Sequence, residues 1–140
     1  MNSKLGGKSV ERVAADANVI LSAAIGKAAL RVFTRSGLEV VSTSATLDEV
    51  REYLPAMAKA YGIAGEVLES QLRLLAIKGY ATAEFRDFLP QATRLIGERD
   101  PDDAGLLALA LALRVPIWTN DRETTGVDCY TTANLLKKLR

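Results

Sequence analysis

Four acidic residues have the type and setting to do chemistry together: Asp16 in AADANVIL, Glu49 in STSATLDEVREYL, Asp103 in RDPDDAGLLALAL and Asp121 in PIWTND. Carboxylate oxygens in that number suit a hard divalent cation, which needs neither nitrogen nor sulfur ligands. The composition leaves few alternatives. There is no histidine and a single cysteine, Cys129. Their scarcity removes Ser-His-Asp triads, histidine-based ribonuclease chemistry, most zinc sites, CxxC motifs and any internal disulfide. Chemistry here must rest on carboxylates, hydroxyls, Lys/Arg or a bound ion.

Each acid also has a structural reading. Asp16 closes the apolar run VERVAAD. A carboxylate leaving the C-terminal end of a parallel strand enters the crevice where α/β proteins bind ligands. It equally fits the N-cap of a helix starting at Ala17 or Asn18. Asp121 follows VPIWT in the same way, or is a turn residue after Asn120. If those two strands are neighbours, both carboxylates open into one cleft.

Glu49 completes a Thr46-x-x-Glu49 capping box. On the helical wheel it also falls about 40° from Tyr53, at the edge of the apolar face of Leu47, Val50, Tyr53 and Leu54. Asp48 and Glu52 point away from that face. In DPDD, Asp100 before Pro101 fits an N-cap with proline at the first helical position. Asp102 and Asp103 then occupy the first turn, where acids favour the helix dipole. Asp103 shares a face with Leu106, Leu107 and Ala110, which predicts a packed environment that a cation or donors must compensate. Asp103 is therefore the expected ligand and Asp100 the expected cap, with no role assigned to Asp102.

The elements that would carry these residues are short. VERVAAD (10–16), LEVVS (38–42), VPIWT (115–119) and VDCYT (127–131) read as strands, and a further one is expected near 80–83. Helices are expected at 18–35, broken at Gly26, and at 46–61, ended or kinked by Pro55 after Leu54. Others fall at 65–78, 85–97, 101–114 and 132–139. Alternating strands and helices, with apolar rather than alternating strands, predict a parallel sheet covered on both faces. At 140 residues the chain is read as one domain, 1–140. No apolar run approaches the ~20 residues that span a bilayer. The N-terminal MNSKLGGKSV has lysines without an apolar stretch behind them, so the chain is read as cytoplasmic.

The pattern of Asp16 and Asn18 in DANVIL, Glu49 in TLDEV, Asp103 in DAGLLALALA and Asp121 in WTND resembles the PIN domain family. The resemblance runs in order through nearly the whole chain and ends with GVDCYTTANLL. It implies a three-layer α/β/α sandwich with a central parallel sheet of 4–5 strands. It further implies a ribonuclease whose acidic cluster binds Mg²⁺ or Mn²⁺, leaving a 5′-phosphate and a 3′-hydroxyl. Asp16, Glu49, Asp103 and Asp121 become the catalytic, metal-binding quartet, while Asn18 and Thr119 line the site and Asp100 competes with Asp103. The resemblance extends to VapC-type toxins of type II toxin–antitoxin pairs. That implies RNA as substrate, an antitoxin protein as partner and a homodimer, with apolar residues of 46–78 as the candidate surface. RETTG after Asp121 departs from the family's usual aromatic or large apolar residue.

Net charge is +1, from 18 basic and 17 acidic residues, which argues against a strongly electrostatic nucleic-acid binder without excluding one whose acids hold cations. Lys27, Arg31 and Arg35, and the tail Lys137, Lys138 and Arg140, are candidate phosphate contacts or ordinary solvated helix faces. Three other readings are weighed. A receiver-like phosphotransfer domain lacks its acceptor, since LEVVS ends in Ser42, and a DxD phosphatase lacks its second acid at Asn18. An RNA-processing nuclease without a toxin role, or a non-catalytic binding or oligomerisation module on the same fold, are the alternatives kept.

Overall fold

The computed structural model describes residues 10–35, 37–96, 101–121 and 127–139. Five strands form one all-parallel sheet: β1 (Arg12–Ala15), β2 (Glu39–Thr43), β3 (Ile77–Tyr80), β4 (Ile117–Trp118) and β5 (Cys129–Tyr130), in the order β3-β2-β1-β4-β5. The helices are α1 (Ala17–Ala24), α2 (Ala29–Phe33), α3 (Ser44–Tyr61), α4 (Gly65–Leu74), α5 (Leu89–Ile96), α6 (Pro101–Leu113) and α7 (Thr132–Lys138).

Strand order and crossover handedness together set the layers. From β1 to β2 to β3 the chain moves one way across the sheet; from β3 to β4 it returns past β1 to the other side. Right-handed crossovers then put α1–α4 on one face and α5–α6 on the opposite one. The side-chain alternation agrees. Val13, Ala15, Val40 and Trp118 pack with α1–α4 and Leu135 of α7, while Ala14, Val41 and Ile117 pack with α5 and α6. The result is a three-layer α/β/α sandwich, as the sequence predicts.

Several boundaries differ for local reasons. β3 begins at Ile77, a few residues before the expected 80–83, and α4 is correspondingly shorter. α3 begins at Ser44 because Thr43 caps it, its Oγ1 accepting from the Thr46 amide at 2.9 Å. Thr46 therefore sits inside the helix, and the predicted Thr46/Glu49 capping box does not form. Pro55 neither ends nor breaks α3, which runs on to Gly62 in the left-handed conformation, φ 65°. Pro55 and Arg51 are both exposed, so the Arg51 carbonyl that loses its helical donor faces water.

Trp118 fixes β4 in the middle of this arrangement. It is fully buried, its ring lies against Phe33 with centroids 5.4 Å apart, and its Nε1 donates to Thr132 Oγ1 at 3.0 Å. The indole thus finds both an apolar bed and a polar partner, tying β4 to α2 and α7.

Candidate functional site

Because the sheet is wholly parallel, every strand ends on the same edge. The crossover direction reverses between β1 and β4, whose register places Ala15 beside Trp118. Their carboxyl ends therefore flank the crevice that open α/β sheets use for ligands. The next residue of β1 is Asp16, and β4 continues as Thr119, Asn120 and Asp121.

Asp16 is both of the things its sequence position allows. Its Oδ1 accepts from the Val19 amide at 3.0 Å, capping α1. Its backbone amide donates to the Trp118 carbonyl at 3.2 Å, continuing the pairing of β1 with β4. The Thr119 hydroxyl also hydrogen-bonds the carboxylate. Burial pushes the Asp16 carboxyl above its ordinary range, and the negative charge of Asp121 pushes it further, against the lowering effect of those hydrogen bonds. Asp16 and Asp121 thus sense one another across the crevice.

Thr119 is the link between them. It is buried, and its Oγ1 accepts from the Asp121 amide at 3.0 Å while its hydroxyl serves Asp16. Asp121 itself is exposed, so its turn geometry and its place beside Asp16 coexist. Asn18, in the first turn of α1, is exposed at the same edge.

Glu49 lies in the second turn of α3 and is partly buried. Its orientation follows from its neighbour two residues back. Leu47 packs onto β3, where a Cβ added to Gly79 would come within 2.9 Å of Leu47 Cδ1. Two residues on, at about 100° each, Glu49 lies on the flank of α3 opposite Leu47.

Asp103 departs from expectation. It is exposed, although Leu106, Leu107 and Ala110 are buried. It occupies the first turn of α6, immediately before Ala104, where the buried face of the helix begins. An exposed Asp103 carries no burial cost that a cation must offset. Asp100 lies outside the described residues, as does the side chain of Asp102.

The structure therefore pairs Asp16 with Asp121 through Thr119 and puts Glu49 and Asp103 on the helices that start at the same edge. Among the described residues, no three His, Cys, Asp or Glu side chains are grouped closely enough to hold a metal ion by themselves. A magnesium ion does not need three. It commonly takes one or two carboxylates, keeps several waters and completes its shell with substrate phosphate. The all-oxygen pair, with one carboxylate made costly to ionise by burial and by its neighbour, fits such a cation.

Two residues of this edge escape sequence reasoning. Ser42, buried at the end of β2, donates to the Ala15 carbonyl at 2.8 Å, satisfying the backbone just before Asp16. Asn120 Oδ1 accepts from the Thr132 amide at 2.8 Å and anchors the β4 loop to the start of α7. A lone polar residue closing an apolar strand is the only signal either offers.

A depression of about 760 Å³ lies at the opposite edge, lined by Arg12, Glu39, Arg114, Asp128 and Tyr130 among others. Arg12 is already paired there with Glu39 at 3.1 Å. Lys27, Arg31 and Arg35 follow α1 away from the acidic edge and do not surround the carboxylates.

A family model described as PIN domain matches residues 14–140, which takes in Asp16, Glu49, Asp103 and Asp121. No curated protein matches the chain.

Proposed function

The chain belongs to the PIN domain family, whose members are generally nucleases, and from that premise we propose that it is a metal-dependent endoribonuclease. The observation that carries the proposal is the Asp16–Thr119–Asp121 arrangement at the carboxyl ends of two adjacent parallel strands, where the crossover direction reverses.

A phosphodiester repels nucleophiles through its own charge. Mg²⁺ or Mn²⁺, when bound, supplies charge neutralisation at the phosphate and a water of lowered pKa. Asp16 and Asp121 are the residues that would hold the cation, with Glu49 and Asp103 completing its seat directly or through water. Thr119 keeps the Asp16 carboxylate oriented and spaces it from Asp121. Asn18 and Thr119 line the site. The family resemblance implies products carrying 5′-phosphate and 3′-hydroxyl ends.

The test is cleavage of end-labelled single-stranded and structured RNA in Mg²⁺, Mn²⁺ or EDTA by the wild type and Asp16→Asn. Metal-dependent cutting by the wild type, lost in the variant, supports the reading. Equal cutting by both proteins sinks the site assignment.

The VapC-like part of the proposal adds an antitoxin that covers the acidic edge, and a homodimer. Val67 and Leu74, spaced seven apart on α4, are 49% and 82% exposed and offer an apolar stripe for the second copy. Growth arrest on expression, relieved by the product of an adjacent gene, is the expected toxin behaviour. Its absence would leave RNA processing as the role.

A further inference from the structure

The chain has four tyrosines, and three of them carry a lysine ammonium against the ring. Lys27 lies 5.2 Å from the Tyr61 ring centroid, Lys78 5.1 Å from that of Tyr80, and Lys138 5.8 Å from that of Tyr130. Tyr53 differs. It makes no hydrogen bond, ring stack or cation contact among the described residues, and it is 52% exposed.

Its position gives the bare ring a context. Tyr53 follows Glu49 by one helical turn on α3, on the flank turned away from β3. α1 and α3 pack side by side and both start at the acidic edge. At their far ends Lys27, just beyond α1, sits over Tyr61 in the last turn of α3. α3 thus carries in order Glu49 near the acidic edge, the uncovered Tyr53 ring one turn on, and Tyr61 with the Lys27 cation over it in the last turn, with α1 packed alongside. From Tyr53 to Tyr61 the helix rises about 12 Å.

We propose that Tyr53 is the stacking platform for the nucleobase adjoining the scissile phosphate of a single-stranded RNA, with Lys27 contacting the backbone further along α3. The inference rests on the nuclease reading above for the location of the scissile phosphate. A π-face accepts any base, and a nearby cation meets the backbone charge, which is how sequence-tolerant single-strand sites are built. A protein ligand has no need of this pairing of bare aromatic ring and distal cation beside the Asp16–Asp121 edge.

The experiment uses the full chain carrying Asp16→Asn, so that RNA is bound and not cut, and a fluorescein-labelled single-stranded RNA octamer in Mg²⁺ buffer. Adding Tyr53→Leu is expected to weaken binding about tenfold, whereas Tyr53→Phe stays within about twofold. Tyr53→Trp should bind as well and show indole emission quenched on adding RNA; Trp118, fully buried, stays a constant background. Lys27→Ala should lower the slope of log affinity against log salt by about one.

Undetectable binding, unchanged affinity in Tyr53→Leu, or unquenched emission in Tyr53→Trp overturns the proposal. So does a Tyr53→Leu effect on sedimentation with none on RNA affinity, which would put Tyr53 at a protein interface. The two readings fail separately. If Tyr53 governs RNA binding but the wild type cuts no RNA with either metal, the nuclease reading falls; if the wild type cuts and Tyr53 variants bind and cut normally, only the stacking platform falls.

Discussion

Replacing Asp16 by asparagine is expected to stabilise the metal-free fold at pH 7 while abolishing activity. Burial, and then the charge of Asp121, hold the Asp16 carboxyl above its ordinary value of 3.8. A carboxyl with a raised folded pKa binds its proton more tightly in the native state than in the unfolded chain. Between the unfolded and folded values the native state therefore carries more protons, and stability falls as pH rises through that window. At neutral pH the ionised Asp16 is a standing cost. Asparagine caps helices about as well as aspartate, can still accept from Val19 and Thr119, and carries no charge to desolvate. Relieving a cost of this kind commonly adds about 0.5–2 kcal/mol. A gain of about 1 kcal/mol corresponds to about 3–4 °C in Tm at this chain length.

The assay is thermal unfolding of both proteins in EDTA at pH 7, 5 and 4. The advantage of the variant should be largest at pH 7 and shrink as Asp16 takes up its proton. Mg²⁺ should reverse the order, because a cation at about a hundredfold its Kd adds about 2.7 kcal/mol to the protein that binds it. A variant that melts below the wild type in EDTA at pH 7 would refute the reasoning, as would a gap that does not change with pH.

Thr119→Val should lower stability by about 2 kcal/mol through loss of the bonds to Asp16 and the Asp121 amide, raise the Asp16 carboxyl further and slow RNA cleavage; Thr119→Ser should restore most of each. Urea titration with an unchanged m-value checks the first point. Pro55→Ala should stabilise by about 1–3 kcal/mol, because it returns a donor to the exposed Arg51 carbonyl inside α3; a Tm at or below that of the wild type counts against it. Gly79→Ala should cost about 0.5–1 kcal/mol by pressing on Leu47, and a double-mutant cycle with Leu47→Ala should recover that cost. Additive effects in the cycle would mean the two residues do not meet.

Much of the fold is legible because its strands are apolar runs and its helices carry local signals. Asp16, Gly26 and the Leu/Ala run of α6 mark their elements within a few residues. β3 is harder, since IKGY at a sheet edge carries a lysine and a glycine where a central strand would be apolar. Pro55 misleads because propensity does not register which side of a helix meets water. Thr43 was hidden as a cap because it closes β2 and opens α3 with no loop between them. At the site, Asp16 and Asp121 could be paired from their strand-end positions alone. Ser42 and Asn120 could not, because their partners, the Ala15 carbonyl and the Thr132 amide, lie 27 and 12 residues away. Asp103 shows the limit of the helical wheel, which assigns a face without knowing where the sheet stops.

The insertion of β4 beside β1 has a consequence in time. Synthesis delivers Asp16 about a hundred residues before its partners Thr119 and Asp121, and until they arrive one side of β1 is an open edge. Domains fold largely as units while emerging from the ribosome N-terminus first. A nascent chain that ends before Ile117 thus holds one carboxylate of the pair and neither the hydroxyl nor the strand that orients it. On the proposed function, a chain stopped before β4 is expected to cut no RNA, because it lacks the second acid of the pair and the hydroxyl that orients the first.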